Sequence, residues 1–305
     1  MKRLISFLSI VIILTCSALQ SFSQHDSTSS DDLYFSNQLT YEIGGSLGVM
    51  NCLTDLGGGK GIGKKFIKDI NFRNTEPTGS IFLSAAYKKA VVLRTEFVWG
   101  IVKASDAVLK GVKESVGGRY ERNLSFRSTI FEVSLVSEFH PRYFKNYSKG
   151  QKLPKVSPYL LGGIGYFTFN PQAKLEGKLT NLKPLNTEGQ GFAEYPDRKP
   201  YKLKQINFPV GAGVKYKFND FINLSAECVY RILNTDYLDD VSTNYIDKNV
   251  FQKYFAGDQL SQALLLHFRQ NELNPALTSI PDDVRGNPKN NDAFFSVNFK
   301  IAVVF

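Results

Sequence analysis

Polar and apolar residues alternate along eight separate segments of this chain, and the last segment is the most regular. From Phe295 to Phe305 every second residue is apolar, whereas Ser296, Asn298 and Lys300 occupy positions between them. Alternation with a period of two is typical of a β-strand with one apolar and one polar face. A final amphipathic strand that ends on an aromatic residue indicates a β-barrel whose outer face contacts lipid.

The connections between these segments support an eight-stranded barrel. The predicted strands cover 39–49, 80–87, 91–103, 125–139, 158–169, 205–218, 222–233 and the closing segment that ends at 305. The links at 88–90 and around 219–220 are tight turns, the link at 141–157 is of middling length, and the other four are long. Short and long links alternate as periplasmic turns and extracellular loops do in outer-membrane barrels. We therefore predict an all-β fold, an eight-stranded antiparallel transmembrane β-barrel with long extracellular loops. One loop is predicted to carry a helix, since apolar residues recur at near-helical spacing in 250–269.

Charged residues fall on the inward face of the predicted strands. They are Glu42, Arg94, Glu96, Glu132, Glu138, Lys215, Glu227, Arg231 and Lys300. An eight-stranded barrel is narrow enough to be filled by its own side chains, and an unpaired buried charge costs several kcal/mol. Mixed signs therefore favour a paired plug of charge over the alternative, a conducting channel or proton relay. For Lys300 the nearest predicted partner is Glu42 or Glu227. A water-soluble barrel would instead place apolar residues inside.

The N-terminus predicts export. Lys2 and Arg3 precede an apolar run that is too short to span a bilayer, and a small-x-small site ends at Ser23. We expect a signal peptide at 1–23, a periplasmic stretch at 24–38 and an outer-membrane barrel at 39–305. A lipoprotein attached at Cys16 is the alternative, although Leu14 and Thr15 stand where small residues are needed.

The amino-acid composition limits the class of protein and the kinds of partner further. The mean hydropathy of −0.19, with 43% hydrophobic residues, excludes a helical membrane protein. The formal charge of +9 does not indicate nucleic acid as a partner, because the lysines are spread over loops without interleaved aromatic residues. Anionic lipid and other cell-surface groups are the expected counter-charges. After the leader, Cys52 and Cys228 remain, and two unpaired thiols are favoured over a disulfide.

No motif predicts an enzyme or a cofactor. The stretch GGKGIGKK at 58–65 approximates a phosphate-binding loop, but Lys65 stands where Ser or Thr must bind magnesium. His25, His140 and His267 lack a second ligand at metal spacing, so a zinc site is not expected. No serine lies in a nucleophile elbow.

A cluster of acidic residues follows the seventh predicted strand. Asp236, Asp239 and Asp240, with Glu188 in the opposite loop, could hold Ca²⁺ through carboxylate oxygens. The alternative is that these carboxylates cap loops through hydrogen bonds, and the sequence favours this alternative.

Several stretches of the chain resemble a family of Gram-negative outer-membrane barrels that includes PorG, the barrel associated with the type IX (Por) secretion system. The matching stretches are YEIGG at 41–45, LTDL at 53–56, FRSTIFE at 126–132, PYLLGGIG at 158–165, NTEGQG at 186–191 and TDYLDDVS at 235–242. The last two are the most specific, because strand alternation requires neither of them.

The resemblance implies a non-enzymatic barrel that helps to anchor the periplasmic ring of a type IX protein secretion apparatus. The basic periplasmic segment is where we expect ring proteins to bind, through Arg142, Lys145, Lys149, Lys152 and Lys155. The alternative is a barrel with a surface role in adhesion, envelope integrity or small-ligand binding. The expected partners are thus outer-membrane lipid and ring proteins of the secretion system.

Overall fold

A closed antiparallel barrel forms the body of the molecule. The computed structural model describes residues 30–36, 39–58, 70–111, 118–145, 147–148 and 151–305. The strands are β1 (Leu39–Leu53), β2 (Glu76–Tyr87), β3 (Val91–Ser105), β4 (Ser125–Phe139), β5 (Val156–Thr168), β6 (Gln172–Leu175), β7 (Lys178–Asn181), β8 (Lys204–Lys217), β9 (Ile222–Leu233) and β10 (Ala293–Val304). Eight of them form the barrel in the order β1, β2, β3, β4, β5, β8, β9, β10, and β10 closes it by pairing with β1. The predicted fold class is confirmed.

The described residues form four short α-helices. They are α1 (Ser30–Phe35), α2 (Arg119–Arg122), α3 (Phe251–Tyr254) and α4 (Gly257–His267). No helix within the described ranges has the length and apolarity that crossing a membrane requires. Several sequence predictions lie outside the described residues: the signal peptide, Cys16, His25, Lys149 and all but the first residue of the GGKGIGKK stretch.

The barrel is apolar outside and polar inside. Leu47 on β1 is 75% exposed and Phe299 on β10 is 71% exposed, while Glu138 on β4 and Ser296 on β10 are buried. Because side chains alternate along a strand, the apolar face of each strand lies on the outside of the barrel and the polar face lies in the lumen. A water-soluble barrel has the opposite arrangement, so this wall is built to lie in lipid.

The two ends of the barrel differ. At one end, which we call the turn end, lie α1, the Lys88–Ala90 turn, the 141–155 segment and Phe305, whose backbone pairs with Tyr41. At the other end, which we call the loop end, four loops join the strands. They are loop 1 (54–75), loop 2 (106–124), loop 3 (169–203) and loop 4 (234–292). Together, the described parts of these loops form the loop-end cap.

The strand boundaries depart from prediction mainly at the loop end. β1 continues to Leu53 instead of residue 49, and β2 begins at Glu76 instead of residue 80. Met50, Asn51 and Cys52 are consecutive and all buried, so both faces of β1 are covered there. Alternation of polar and apolar residues therefore no longer distinguishes an exposed face from a covered one at these positions. The strands rise beyond the lipid-facing band into the cap, which covers them on both sides.

Loop 3 contains a hairpin that the sequence pattern did not reveal. β6 and β7 are joined by Glu176 and Gly177, which both have positive φ, at 48° and 85°. Two such residues are the signature of the two-residue turns that suit tight hairpins. The strands are four residues each, too short to show alternation.

The cap has a hydrophobic core of its own, continuous with the upper part of the barrel. Phe251 of α3 and Ala263 and Leu266 of α4 are buried in it. The region predicted to be helical from its apolar spacing therefore packs over the barrel mouth as two short helices.

Candidate functional site

The lumen is filled by charged side chains from six of the eight barrel strands. The nine predicted inward charges are five carboxylates and four cations, and the structure places all nine inside the barrel. Their ion pairs join strands across the lumen as well as neighbours in the sheet. We call this group, together with the neutral side chains that bond to it, the lumen plug.

Arg94 of β3 lies at the centre of the plug. Its Nε is 3.1 Å from Glu96 Oε2, and its Nη2 is 3.1 Å from Glu227 Oε2. Its Nη1 contacts Glu138. A guanidinium offers five N–H donors in a plane, so one arginine can serve three carboxylates.

Lys300 of the closing strand has two carboxylate partners. Its Nζ is 2.5 Å from Glu96 Oε1 and 2.9 Å from Glu227 Oε1. Glu42, the other predicted partner, pairs with Lys215 instead. Of the two predicted alternatives, Glu227 is therefore a partner of Lys300 and Glu42 is not, because Glu42 is opposite Val304 in the β1–β10 register, four residues nearer the turn end than Lys300.

Two further groups complete the plug. Towards the turn end, Lys215 Nζ is 3.0 Å from Glu42 Oε2 and 3.5 Å from Glu138 Oε2. Towards the loop end, Arg231 Nε is 2.9 Å from Glu132 Oε2. Neutral groups bind the remaining oxygens; Asn223, for example, donates to Glu42 at 2.7 Å.

A narrow space remains between the plug and the turn end among the described residues. A cavity of about 30 Å³ lies there between the plug and the end of the barrel, lined by Glu42, Lys89, His140, Lys215 and others. This volume suits about one water molecule. His140 is tied into the wall, with Nε2 at 3.0 Å from Glu138 Oε2 and Nδ1 at 3.0 Å from Ser157 Oγ.

At the loop end, Glu188 joins loop 3 to loop 4. Its Oε1 accepts hydrogen bonds from Arg285 Nη1 at 2.8 Å and from Ser242 N at 3.0 Å. Its Oε2 accepts from Thr243 N at 3.0 Å and Thr243 Oγ1 at 2.7 Å. Arg285 Nη1 also donates to the carbonyl of Asp240 at 2.8 Å. The side chains of Glu188 and Arg285 are almost completely buried.

Arg122 connects loops 1, 2 and 4. It donates to both carboxylate oxygens of Asp106, each at 2.9 Å, in the bidentate arrangement that arginine favours. Its Nη2 donates to the carbonyl of Asp55 at 2.7 Å, and its Nη1 to the carbonyl of Arg285 at 2.6 Å. With Glu188, it ties all four loops into one body.

The two most specific stretches of the family resemblance meet in this network. Thr187 of NTEGQG donates to Asp240 of TDYLDDVS at 2.6 Å, and Tyr201 donates to the other oxygen of Asp240 at 2.6 Å. Gly189 and Gly191 have φ of 74° and 84°, a region that glycine adopts without steric cost. The contact between loops 3 and 4 thus depends on these particular residues.

The four predicted calcium ligands are all buried in the cap, and three of them accept hydrogen bonds there. Glu188 and Asp240 have the partners given above, and Asp239 accepts from Leu56 N at 3.2 Å and Val241 N at 3.0 Å. Oδ2 of Asp236 is buried without a hydrogen-bond partner. Within the described ranges, no three acidic, histidine or cysteine side chains are placed to hold a metal ion. The arrangement matches the alternative of loop capping.

The cap buries more carboxylates than cations. Burial raises the pKa of Asp236 to about 9, and the charge of Asp55 adds to this effect. Burial also raises the pKa of Asp240 to about 6, against the opposing effect of Arg285. The pKa values of Asp239 and Asp292 are likewise raised well above the usual range, chiefly by burial. The cap therefore holds protons on some of these groups at neutral pH.

The remaining candidates fall in structural positions. His267 is buried, its Nδ1 is 2.6 Å from the carbonyl of Thr187, and burial lowers its pKa to about 3. Cys52 is buried in the cap core and Cys228 faces outward on β9, and neither forms a disulfide.

The predicted partner segment is folded against the turn end. Tyr143 OH donates to the carbonyl of Pro154 at 2.8 Å, and Tyr143 and Leu153 are buried. The side chains of the four predicted contact residues that the structure describes are exposed. They are Arg142, Lys145, Lys152 and Lys155. The described part of the segment therefore presents four positive charges beside two buried anchoring residues.

Sequence reasoning missed the partners that complete these sites. Arg122 and Arg285 are far apart in sequence, and only the folded loops bring them to the acidic motifs. Asp31 and Tyr34 were placed in an undivided N-terminal stretch, whereas they anchor α1 to the turn end. The excess of acidic residues in the loop motifs is a signal that could have pointed to buried arginines.

No protein-family model matches the chain, and no curated protein matches it. Among solved structures, it is similar to Ail, the attachment invasion locus protein of Yersinia pestis, in complex with the heparin analogue sucrose octasulfate. The identity is 10%, the match covers 88% of this chain and 97% of that chain, and the TM-score is 0.34. It is also similar to Neisserial surface protein A, with 8% identity, a match that covers 87% of this chain and 96% of that chain, and a TM-score of 0.37. A third similar structure is the outer membrane protein OprG from Pseudomonas aeruginosa, with 10% identity, a match that covers 87% of this chain and 95% of that chain, and a TM-score of 0.34. Identities this low transfer no activity to this chain.

Proposed function

We propose that this chain is a non-enzymatic outer-membrane barrel that serves as a structural and interaction component of a type IX protein secretion apparatus. In this proposal the turn end faces the periplasm and the loop end faces the exterior, as short turns and long loops do in such barrels. The apolar wall supports residence in lipid. The resemblance to the PorG-containing family supports the secretion role.

The observation that carries the proposal is the exposed basic segment on the turn end. A filled lumen leaves the surfaces of the barrel, and not its interior, as the means of action. Of these surfaces, the described part of the 141–155 segment presents four exposed cationic side chains beside the buried Tyr143 and Leu153. Such a group of positive charges favours an acidic periplasmic partner through electrostatic complementarity.

Charge reversal tests this role. Replacement of Arg142, Lys145, Lys149, Lys152 and Lys155 with glutamate should release the periplasmic ring proteins from the barrel in pull-downs read by mass spectrometry. The heat-modifiable gel shift of the barrel should remain, because the four of these side chains that the structure describes are exposed outside the wall and the plug. The matched control reverses four exposed lysines of the loop-end cap, Lys174, Lys178, Lys199 and Lys202, and should keep the ring proteins bound. Unchanged co-purification of the ring with the turn-end variant would refute the proposed contact.

A surface role is the second candidate, and one feature of loop 4 favours it. Leu273, Leu277, Ile280 and Val284 are all exposed in this loop, and Val284 is 76% exposed. Exposed apolar groups beyond the lipid band suit a ligand or another cell-surface molecule. Deletion of the gene separates the two roles, since only the first predicts loss of secreted proteins from the cell surface.

A further inference from the structure

The short helix α1 is attached to the turn end by its acidic residue. Asp31 Oδ1 is 2.8 Å from Lys89 Nζ and 2.7 Å from Lys217 Nζ. Lys89 belongs to the turn between β2 and β3, and Lys217 ends β8, so one carboxylate bridges two separate connections of the barrel. Both lysines are mostly buried, while Asp31 is one-third exposed.

The second attachment of α1 is aromatic. Tyr34, three residues after Asp31, is only 8% exposed and packs in a slot formed with Ala90, Tyr143 and Leu153. Its ring centroid is 6.3 Å from that of Tyr143 and 6.0 Å from that of Tyr147. Its hydroxyl is 3.4 Å from the carbonyl of Lys145. We call the two lysines and this slot the α1 seat.

The seat has a defined chemistry, and Asp220, at 2.7 Å from Lys217 Nζ, is a second carboxylate at its edge. It has two ammonium groups converging on one carboxylate oxygen and, one helical turn away, an apolar slot that accepts a phenol ring. It is built from barrel connections and the described part of the 141–155 segment, in which Tyr143 also donates to the carbonyl of Pro154. An isolated helix of six residues has no stability in water, so α1 depends on the seat for its fold.

We propose that the α1 seat is a recognition site for a periplasmic partner segment in which an acidic residue precedes an aromatic residue by three positions, and that α1 occupies this site in the absence of the partner. The proposal rests on the proposed function for the periplasmic location of the seat. The basic segment around the slot, including Lys145, would attract the same acidic partner. α1 then acts as an intramolecular competitor that lowers the apparent affinity of the seat for the partner segment.

A peptide-binding assay tests the seat without any secretion protein. The probe is a fluorescent, terminally capped peptide of residues 30–36, SDDLYFS. It is titrated against the full-length barrel in detergent, as wild type and as the Asp31→Asn/Tyr34→Ala variant, which empties the seat. We expect the variant to bind the probe at least about tenfold more tightly than wild type, because the competitor has been removed.

The controls make the result specific. Adding Lys89→Glu and Lys217→Glu to the emptied variant should weaken probe binding by at least about tenfold, while the gel shift shows that the barrel is folded. A probe with its aspartates and tyrosine replaced by alanine should not bind. Absence of saturable binding to the emptied seat, or equal binding by the lysine-reversed variant, would overturn the proposal.

The same variant gives an independent result in pull-downs. If α1 competes with the partner, the Asp31→Asn/Tyr34→Ala barrel should retain more ring protein than wild type. Less retention would show that α1 itself is the contact and would overturn the competition. Failure of the peptide assay with normal ring capture would leave the proposed function standing, so the two failures are distinguishable.

Discussion

At Gly213 the absence of a side chain leaves room for a buried hydrogen bond in the lumen. A Cβ on this residue would lie 2.4 Å from Tyr159 Cζ and 2.5 Å from its hydroxyl oxygen. That hydroxyl donates to Glu227 Oε2 at 2.8 Å, and Glu227 in turn serves Arg94 and Lys300. Because Gly213 has no side chain, Tyr159 can approach β8 closely and hold Glu227, one of the central carboxylates of the plug, in place.

Gly213→Ala should consequently destabilise the barrel. The tyrosine ring must move away from Glu227, and we expect the free energy of unfolding to fall by about 1–3 kcal/mol, as for overpacked interiors. Urea unfolding of the protein in lipid vesicles measures the change. Gly162→Ala on β5 is the matched control, because a Cβ there meets nothing within 4 Å. Equal stability of the two variants would show that Tyr159 does not restrain Glu227.

Asp236 gives the loop-end cap a pH dependence with a definite sign. Burial raises its pKa from 3.8 to about 9, so the folded cap holds this proton more tightly than the unfolded chain does. The stabilisation is complete below about pH 4 and is lost as the pH rises through about 9. We expect slower cleavage of the cap by proteinase K at pH 5.5 than at pH 8.5, after correction for the rate on an unfolded substrate. Asp236→Asn should reduce this difference, and a cap that becomes more resistant as the pH rises would contradict the assignment.

At the scale of elements, loops 3 and 4 are held together by charge in an interior that excludes water. Glu188→Ala would leave Arg285 buried without its carboxylate and remove three further hydrogen bonds. Loss of one partner of such a pair costs about 3–5 kcal/mol. We expect rapid proteolysis within loops 3 and 4, while the barrel keeps its gel shift because Glu188 takes no part in the strand pairing or in the lumen plug.

The control for this variant is a pair of similar length on the cap surface. Glu194 Oε1 is 2.7 Å from Lys253 Nζ, and the lysine is largely exposed. Glu194→Ala should leave the proteolysis pattern of the loops unchanged, since exposed pairs contribute little. If both variants were cleaved alike, the buried network would not be what holds the loops.

The sequence predicted elements well where the environment on each side of a strand is constant. β4 and β9 agree with prediction at both ends, because lipid on one side and plug on the other maintain the alternation along their length. The prediction failed at Met50–Cys52, where the cap covers both faces, and at β6 and β7. The acidic motifs were found, but Arg122 and Arg285 were not, since their contacts depend on loop geometry that no local pattern encodes.

At the scale of the whole molecule, the filled lumen decides how the barrel can act. Five carboxylates face four cations in the plug, and each of the nine charges has at least one ion-pair partner. Breaking these pairs to open a passage would cost several kcal/mol per buried ion. Any influence on other molecules must therefore pass through the outer wall, the cap or the turn end.

The plug also predicts the electrical behaviour of the purified protein. In a planar lipid bilayer, the wild type should give no discrete conductance steps, in contrast to a porin run as the positive control. Arg94→Ala combined with Arg231→Ala should behave differently, because the shortened side chains widen the lumen and leave Glu132, Glu138 and Glu227 short of counter-charge. We expect small cation-selective currents from this variant, provided that its gel shift shows a folded barrel. Porin-like steps from the wild type would mean that the plug moves, and a silent double variant would mean that neutral side chains and the loop-end cap are enough to close the lumen.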